Sequence, residues 1–214
     1  MSPYDVFAIE TALRHKEATG GSVTAVTVGG AGAEKILKDA KAMGVDNIVR
    51  VWDDSWGELD SNGLQSVLKQ AIEALGVDVV YCGKSAADTG AGSTGPGLAE
   101  RLGWSNASNI IGAEFGDAVT VSMPVEAGVA KISVPIPAVI SCDKGDVKPR
   151  KANVKGIMMA KKAQVELMTA TAPPSTVAIA NHSMPAAKPA GKTFEGGSSA
   201  SQVVQLLRDE ANVI

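Results

Sequence analysis

The glycine-rich segment at residues 83–97 contains the residue types and spacing best suited to chemistry in this sequence. It follows an apolar run at 77–82 and precedes residues typical of a helix. Small residues at 90–95 would allow successive backbone N–H groups to face an anion, and the N-terminus of the following helix would add its dipole. Ser93 and Thr94 offer hydroxyl donors. The segment therefore predicts an anion-binding loop, while a surface loop that uses glycine only for its turns would show the same local pattern.

Two well-known phosphate-binding motifs can be compared with this segment. Residues 83–85 (GKS) resemble the end of a P-loop, but that motif requires a glycine where Asp78 stands. The glycines at 90, 92 and 95 have the spacing of the dinucleotide fingerprint, but that fingerprint follows its strand directly. Here seven residues separate Gly90 from Cys82. Neither motif accounts for the segment, so the predicted anion site depends on backbone N–H groups and the two hydroxyls.

A second group of functional residue types lies at 144–162, where seven basic residues accompany a single acidic one. The rest of the chain has 13 basic and 22 acidic residues, a net charge near −9. Val154, Ile157, Met158 and Met159 are embedded among these charges, and methionine adapts readily to varied apolar partners. The pattern predicts docking to an acidic protein surface. A solvated loop followed by a core segment is the alternative.

Composition argues against several classes of function. A net charge of −3 gives no basic excess to neutralise phosphates, and only eight aromatic residues could stack on bases, so general nucleic-acid binding is disfavoured. No apolar run reaches the roughly 18 residues of a membrane span. Because Cys82, Cys142, His15 and His182 are the only thiols and imidazoles, we predict no disulfide framework and no metal site. We interpret His15 and Asp60 as solvated surface residues and expect a soluble protein of a reducing compartment.

An alternation of strands and helices should position the glycine-rich segment. The predicted elements are helix 5–18, strand 22–28, helix 33–43, strand 48–51, helix 64–75, strand 77–82 and helix 97–102. Strands that alternate with helices in this way are typical of a parallel sheet covered on both faces, so we expect an open doubly wound α/β fold. Ligands bind beyond the carboxyl ends of such strands, where the glycine-rich segments 29–32 and 83–97 emerge.

The second half of the sequence has a different organisation, because eight of the ten prolines follow residue 120. The short runs at 119–123 and 131–134 predict a small antiparallel hairpin, and 135–142 predicts another strand. Residues 169–201 are rich in Pro, Ala, Ser, Thr and Gly and are typical of a linker or arm. A helix follows at 202–211, and a helix this short should dock on another surface. We therefore divide the chain into an α/β domain at 1–165 and a C-terminal arm at 166–214.

Four stretches of the sequence resemble the beta subunit of electron transfer flavoprotein, in order along the chain. Residues 3–12 (PYDVFAIETA) resemble the family's NPYDEFAIEEA, and residues 40–46 (AKAMGVD) resemble its ALAMGAD. Residues 83–104 are similar to the segment GKQAID…TGQ…LAE.LGW, and residues 156–162 (GIMMAKK) are similar to GIMKAKK. The closing residues RDEANVI also fit the family's last helix.

This resemblance implies an adenine-nucleotide-binding, Rossmann-like domain that pairs with an alpha subunit carrying the redox-active FAD. The implied role is that of an electron carrier between flavin-dependent dehydrogenases and a downstream acceptor, with no catalytic residue of its own. The beta subunit would hold AMP or, in electron-bifurcating members, a second FAD that accepts hydride from NADH. A truncated, non-redox nucleotide-binding module remains a further alternative. The implied location is the cytoplasm, or the mitochondrial matrix in a eukaryote.

The resemblance also assigns site residues. Those expected around the nucleotide are Ser2, Pro3, Tyr4, Asp5, Val28, Gly83, Lys84, Ser85, Ala86, Asp88, Gly90, Ala91, Gly92, Ser93, Thr94 and Gly95. The loop 142–164 would recognise partner dehydrogenases, through Val154, Ile157, Met158, Lys161 and Lys162. The arm would embrace the alpha subunit.

Two departures from the family pattern bear on the site. Family members usually begin further upstream, with a strand reading like MKILVCVKQVPD that lies inside the sheet, so we expect an exposed strand edge here. Ser2 replaces the family's Asn, residues 146–148 (DVK) replace LNE, and Ser93 often corresponds to Gln. The phosphate loop should therefore depend more on backbone N–H groups than on side-chain donors.

Overall fold

The structure is a computed structural model that describes residues 1–116, 118–145, 147–188 and 190–214. Helices and strands alternate over its first hundred residues. The α-helices are α1 (Asp5–Thr19), α2 (Glu34–Met43), α3 (Ser61–Leu75), α4 (Thr94–Leu102), α5 (Val154–Lys162) and α6 (Ala200–Asp209). The strands are β1 (Thr24–Val28), β2 (Asn47–Val51), β3 (Val79–Gly83), β4 (Ser105–Ile110), β5 (Gly112–Phe115), β6 (Val119–Val125), β7 (Gly128–Val134), β8 (Ala138–Cys142) and β9 (Glu166–Met168). No helix among the described residues has the length and apolar character needed to cross a membrane.

The strands form three sheets of three strands each. β1, β2 and β9 are parallel, in that order, and β3, β8 and β4 form a second parallel sheet with β8 at its centre. β5, β6 and β7 form an antiparallel sheet. The predicted fold class, a mostly parallel α/β arrangement with a small antiparallel region, is confirmed. All five residues of β8 are buried, because strands flank it on both sides and α1 and α4 pack on its faces.

Helix α1 contacts the cores of both parallel sheets. Ile9 packs against the buried cluster of α2 and β2 that includes Ile48. The neighbouring residue Ala8 belongs to the cluster that contains Ile140 of β8. One helix therefore fastens the two sheets together from one side.

Helix α3 also contacts both sheets. It begins at Asp60, whose side chain accepts a hydrogen bond from the Gly63 N–H at 2.7 Å, and it ends at Gly76 with φ +60°. Val67 packs in the cluster of β2, whereas Ile72 packs in the cluster of β8. The apolar stripe read from the sequence is wide enough to cover two sheets at once.

β1 and β3 each hydrogen bond with a strand on one side only, among the residues that the structure describes. Every residue of these two strands is partly exposed, although both strands are covered by helices. The carboxyl ends of the two strands lead into the glycine-rich segments at 29–32 and 83–97.

The chain divides into compact units at 1–178 and 179–214. The sequence interpretation drew the boundary after residue 165, but β9 pairs with β2 and therefore belongs to the first unit. Beyond β9, Gln70 exchanges hydrogen bonds with the backbone of Thr171, and the carboxylate of Asp60 accepts from the Thr176 N–H at 2.6 Å. Asp60 is therefore a structural anchor and not the solvated residue that was predicted.

The second unit contains a single α-helix within the residues described there. α6 has an apolar side that leaves Val204 and Leu207 exposed, and the Lys192 Nζ pairs with the Glu210 carboxylate at 2.8 Å. None of the residues of α6 is buried. The helix predicted at 202–211 thus forms, and Val204 and Leu207 of its apolar side remain exposed.

Candidate functional site

The glycine-rich segment leaves β3 directly beneath the N-terminus of α1. A Cβ atom on Gly83 would lie 2.6 Å from Oδ1 of Asp5 and 3.0 Å from the Cβ of Tyr4. Only glycine allows this approach, since real Cβ contacts are never that short. The family-like stretch at residues 3–12 therefore meets the start of the segment at 83–97, which is separated from it by about eighty residues of sequence.

Ser2 fastens the chain start to the segment. Its Oγ donates to the carbonyl of Ser85 at 2.9 Å, and its N–H donates to Oδ2 of Asp5 at 2.7 Å. The Tyr4 ring lies under the Lys84 ammonium group, with Nζ 4.8 Å from the ring centroid. Of the predicted nucleotide residues, the structure thus brings together those at 2–5 and 83–85.

Lys84 is engaged on its other side by Asp143. The Lys84 Nζ lies 2.8 Å from Oδ2 of Asp143, and the Lys84 N–H donates to the Cys142 carbonyl at 2.9 Å. Partial burial acts to raise the pKa of Asp143, but hydrogen bonds from Lys84 and from the Lys144 N–H lower it below its usual value. The same pair raises the pKa of Lys84, so both groups are charged at neutral pH.

The second part of the segment presents a row of free N–H groups. Gly90 and Gly92 adopt φ of +61° and +62°, and the Gly90 N–H closes a turn by donating to the Ala86 carbonyl at 3.1 Å. For the five residues 91–95, no N–H has a hydrogen-bond acceptor among the described residues. These groups lie at the N-terminus of α4, whose N-cap residue Ser93 makes no side-chain cap. Such a row is well suited to an anion.

Packing holds this row in position. A Cβ on Gly95 would lie 3.0 Å from the Cys82 Sγ, so the N-terminus of α4 sits closely on β3. Gln65 of α3 donates to the Ser93 carbonyl at 3.0 Å. Gly92 approaches the Lys84 carbonyl, since an added Cβ would be 3.3 Å from that oxygen. The two halves of the segment are therefore neighbours in space.

The remaining predicted residues occupy more peripheral positions. Asp88 is exposed and accepts from the Thr89 N–H, while Pro3 and Ala91 are also exposed. Val28 ends β1 and packs with the core beneath α3, and the hydrogen bonds that gather residues 2–5 and 83–85 do not include it. Its predicted place beside a nucleotide stays a prediction.

Two of the contacting residues were missed by the sequence analysis. Asp143 follows β8 directly, and β8 pairs in parallel with β3, so the two carboxyl ends meet at one edge. That pairing, had it been predicted, would have indicated Asp143 as a partner for Lys84. Gln65 gave no signal, because a glutamine on a helix is usually solvated.

The thiols and the histidine near this site are structural. Burial raises the pKa of Cys82 and of Cys142 to about 12, so both stay protonated at neutral pH. His15 was predicted to be solvated, but its ring stacks on Phe115 with centroids 4.6 Å apart, and its Nδ1 lies 3.0 Å from the Tyr81 hydroxyl. Burial lowers the pKa of His15. No cluster of metal-ligating side chains is found among the described residues.

The predicted recognition loop at 142–164 contains the helix α5, so its second half is a helix and not a loop. Asn153 caps this helix by accepting from the Gly156 N–H at 2.7 Å. Gly156 lies against the Ala42 carbonyl of α2, and Ala160 is buried. One side of α5 is therefore fixed to α2, and position 146 of the loop lies outside the described residues.

The opposite side of α5 carries the predicted partner-binding residues. Val154 is 75% exposed, and Ile157 and Met158 are also largely accessible. Lys161 and Lys162 are exposed in the last turn. The structure thus gathers all five predicted residues on one short helix, with apolar and basic groups side by side.

The segment that leads into α5 is anchored to α1 by a buried charge. Glu10 has a side chain that is only 4% exposed, and it accepts from the Arg150 Nε at 2.8 Å and the Arg150 N–H at 3.0 Å. Arg14 Nε donates to the same carboxylate at 2.8 Å. Arg150 also pairs with Glu17, at 2.6 Å. The N-terminus of α1 therefore contacts the segment 83–97, which we call the phosphate-loop candidate. The middle of α1 contacts the residues around Arg150 that lead into α5, which we call the docking segment.

Known proteins with similar sequences identify the family of this chain. The chain matches the electron transfer flavoprotein domain family over residues 1–173. It is 36% identical to electron transfer flavoprotein subunit beta of Bacillus subtilis, with coverage of 100% of this chain and 88% of that protein. The same subunit of Bradyrhizobium diazoefficiens is 30% identical, with 100% and 86% covered. The acryloyl-CoA reductase electron transfer subunit gamma of Anaerotignum propionicum is 37% identical, with 74% and 61% covered. The chain therefore belongs to the electron transfer flavoprotein beta subunit family.

Proposed function

We propose that this protein is the beta subunit of a heterodimeric electron carrier and that residues 83–95 bind the phosphate of an AMP. The observation that carries the proposal is the row of N–H groups at 91–95 without acceptors among the described residues. Buried or partly buried N–H groups are normally paired, so such a row at a helix N-terminus favours an anionic ligand. The hydroxyls of Ser93 and Thr94 would add donors.

The neighbouring residues would close the site. Ser2 and Tyr4 lie over the start of the segment and would cover the nucleotide, and Lys84 would contribute positive charge. FAD held by the alpha subunit would supply the redox chemistry when bound. The residues of this chain would bind and orient the nucleotide, with no proton transfer required of them.

The docking helix α5 would contact a flavin-dependent dehydrogenase that has an acidic surface. This contact would hold the two proteins together while electrons pass between their flavins. The exposed Val154, Ile157 and Met158 of α5 provide an apolar centre and its lysines a basic rim. The apolar side of α6 would dock on the alpha subunit, which explains a short helix that buries nothing within its own unit.

The nucleotide content of the heterodimer tests the proposal. The protein is purified with its alpha subunit and denatured, and the released nucleotides are identified by chromatography and mass spectrometry. One AMP and one FAD per heterodimer would support it, whereas two FAD would indicate a bifurcating complex in which this chain holds the second flavin. FAD alone would mean that the site at 83–95 does not bind a nucleotide.

A charge substitution locates the phosphate. Thr94→Asp places a carboxylate within the row of N–H groups, so we expect the AMP to be lost while the FAD is retained. Thr89→Asp adds the same charge to an exposed position outside that row and should leave the AMP in place. Retention of AMP in the Thr94 variant would place the phosphate elsewhere.

A substitution that shortens one side chain of α5 tests the docking surface. Val154→Ala removes an exposed side chain, so nucleotide content and stability should stay unchanged while electron transfer with a partner dehydrogenase slows several-fold. Val129→Ala removes a similarly exposed valine from the antiparallel sheet and serves as the control. Equal rates for the two variants and the native protein would move the docking site away from α5.

A further inference from the structure

We propose that Lys84 is shared between two anions, so that a phosphate bound at residues 91–95 draws it away from Asp143 and thereby loosens the segment that leads into the docking helix. This inference rests on the proposed nucleotide site. It adds a link between nucleotide binding and partner docking, carried by one ion pair.

Lys84 is placed to contact either anion. It is the only cationic residue in the segment 83–97. Its backbone lies beside Gly92, one of the five residues with free N–H groups, because an added Cβ on Gly92 would be 3.3 Å from the Lys84 carbonyl. Its flexible four-carbon side chain can therefore turn from Asp143 towards a phosphate at 91–95 without any movement of β3.

The ion pair between Lys84 and Asp143 is accessible enough for Lys84 to exchange one anion for another. The side chains of Lys84 and Asp143 are 31% and 22% exposed, so water can solvate each group when the pair separates. Exposed and partly exposed pairs of this kind are weak, typically contributing less than about 1 kcal/mol. A phosphate monoester carries up to two negative charges near neutral pH and is the stronger attraction for a lysine.

Asp143 helps to hold the first end of the segment that connects β8 with α5, where Gly145 also lies close against the Ile111 carbonyl. At this end Asp143 also accepts from the Lys144 N–H and donates its own N–H to the Ile110 carbonyl. At the other end Arg150 is fixed by Glu10. Loss of the Lys84 contact therefore removes one side-chain restraint at the start of this segment, while Arg150 still holds it three residues before the cap of α5.

Competition predicts the direction of two effects. Asp143 opposes nucleotide binding, because it occupies Lys84 and because its own charge repels a phosphate. By linkage, nucleotide binding weakens the Lys84–Asp143 pair by the same free energy and so loosens the start of the segment that leads into α5. A purely structural ion pair would give neither effect.

The affinity test is a double-mutant cycle on the full-length chain, stripped of nucleotide and titrated with AMP in a calorimeter. Asp143→Asn keeps the shape and the acceptor for the Lys144 N–H but removes the charge. We expect it to bind AMP about two- to fivefold more tightly than the native chain. In the Lys84→Met background the same substitution should have a clearly smaller effect, since the competition for the ammonium group is gone.

Hydrogen exchange gives an independent readout. AMP should speed amide exchange at residues 147–153 in the native chain, whereas in Asp143→Asn exchange should already be fast and should not respond to AMP. Asp78→Asn removes the same charge from an exposed residue at the opposite end of β3 and is the control. Its exchange at 147–153 should follow the native pattern, because Asp78 precedes β3 whereas Lys84 follows it.

The outcomes separate this inference from the proposed function. If the native chain binds AMP but Asp143→Asn has the same effect with lysine and with methionine at position 84, or exchange at 147–153 ignores AMP, the shared-lysine mechanism is wrong while the nucleotide site stands. If the native chain binds no AMP at all, both proposals fail. Each variant is first compared with the native chain by thermal unfolding, so that a misfolded variant is recognised and replaced by Asp143→Ser.

Discussion

The buried carboxylate of Glu10 offers a quantitative test of how the docking segment is held. Burial acts to raise the pKa of Glu10, but hydrogen bonds from Arg150 and Arg14 overcome it and lower the pKa from 4.5 to about 2. That lowering corresponds to about 3 kcal/mol of stabilisation by the charged form. The Glu10 side chain is only 4% exposed, but those of Arg150 and Arg14 are 33% and 47% exposed, so solvent screening makes about 3 kcal/mol an upper limit.

The pH dependence of this contribution has a definite sign. The folded-state pKa lies below the unfolded one, so the stabilisation is complete above about pH 5 and is lost as the pH falls towards 2. At pH 3 the carboxylate is mostly ionised when folded and mostly protonated when unfolded, which leaves at most about 1.5 kcal/mol. The native protein should therefore lose stability on acidification through this one residue.

Glu10→Gln removes the charge and keeps the volume. We expect the variant to be less stable than the native protein by up to about 3 kcal/mol at pH 7 and by up to about 1.5 kcal/mol at pH 3, measured by urea unfolding followed by circular dichroism. Glu73→Gln is the matched control: its carboxylate forms an exposed pair with Lys69 at 3.6 Å, so its loss should be at most about 0.5 kcal/mol. A Glu10 variant that loses no more than the control, or a loss that does not change with pH, would refute this reasoning.

Two glycine substitutions test the close approaches that position the site. Gly83→Ala should displace the N-terminus of α1, since the new Cβ would lie 2.6 Å from Oδ1 of Asp5; we expect a loss of about 1–3 kcal/mol and faster amide exchange at residues 2–6. Gly156→Ala would overlap the Ala42 carbonyl and should push α5 away from α2, with a similar loss in urea unfolding. Gly191→Ala is the control, because its new Cβ meets no atom within 4 Å and the free energy of unfolding should stay unchanged. If all three variants lose the same free energy of unfolding, the close approaches at Gly83 and Gly156 do not matter.

The alternating part of the fold could be predicted because its residues carry strong periodic patterns. The apolar stripe of α3 and the β-branched run of β3 were read within a few residues of their observed bounds. β4 was missed because its sequence, SNASNI, is polar. It is a strand only because β8 pairs with it, and two of its six residues are buried there. Local sequence does not contain that information.

Some parts of the candidate site could also be predicted from local sequence, whereas others depend on contacts between distant residues. The glycines and the hydroxyls at 90–95 predict an anion-binding loop by their types alone, and this stays a prediction. The contact between Ser2 and Ser85 spans 83 positions, so no local pattern could reveal it, and only the family resemblance placed the two segments together. The helix α5 was not predicted within the basic run at 144–162. Its cap at Asn153 and the small residues that fit against α2 are weak signals in a run with seven positive charges.

The family-like stretch at residues 3–12 has a physical explanation in these contacts. Asp5 lies against Gly83 at the start of the phosphate-loop candidate, and Glu10 holds Arg150 in the segment that leads to α5. Four residues of helix separate the two acids, so one rigid element sets the positions of both surfaces. Under the proposed function, α1 sets the distance between the nucleotide site and the docking helix. A substitution at either acid should therefore disturb one surface locally, whereas a break in the helix between them should disturb both.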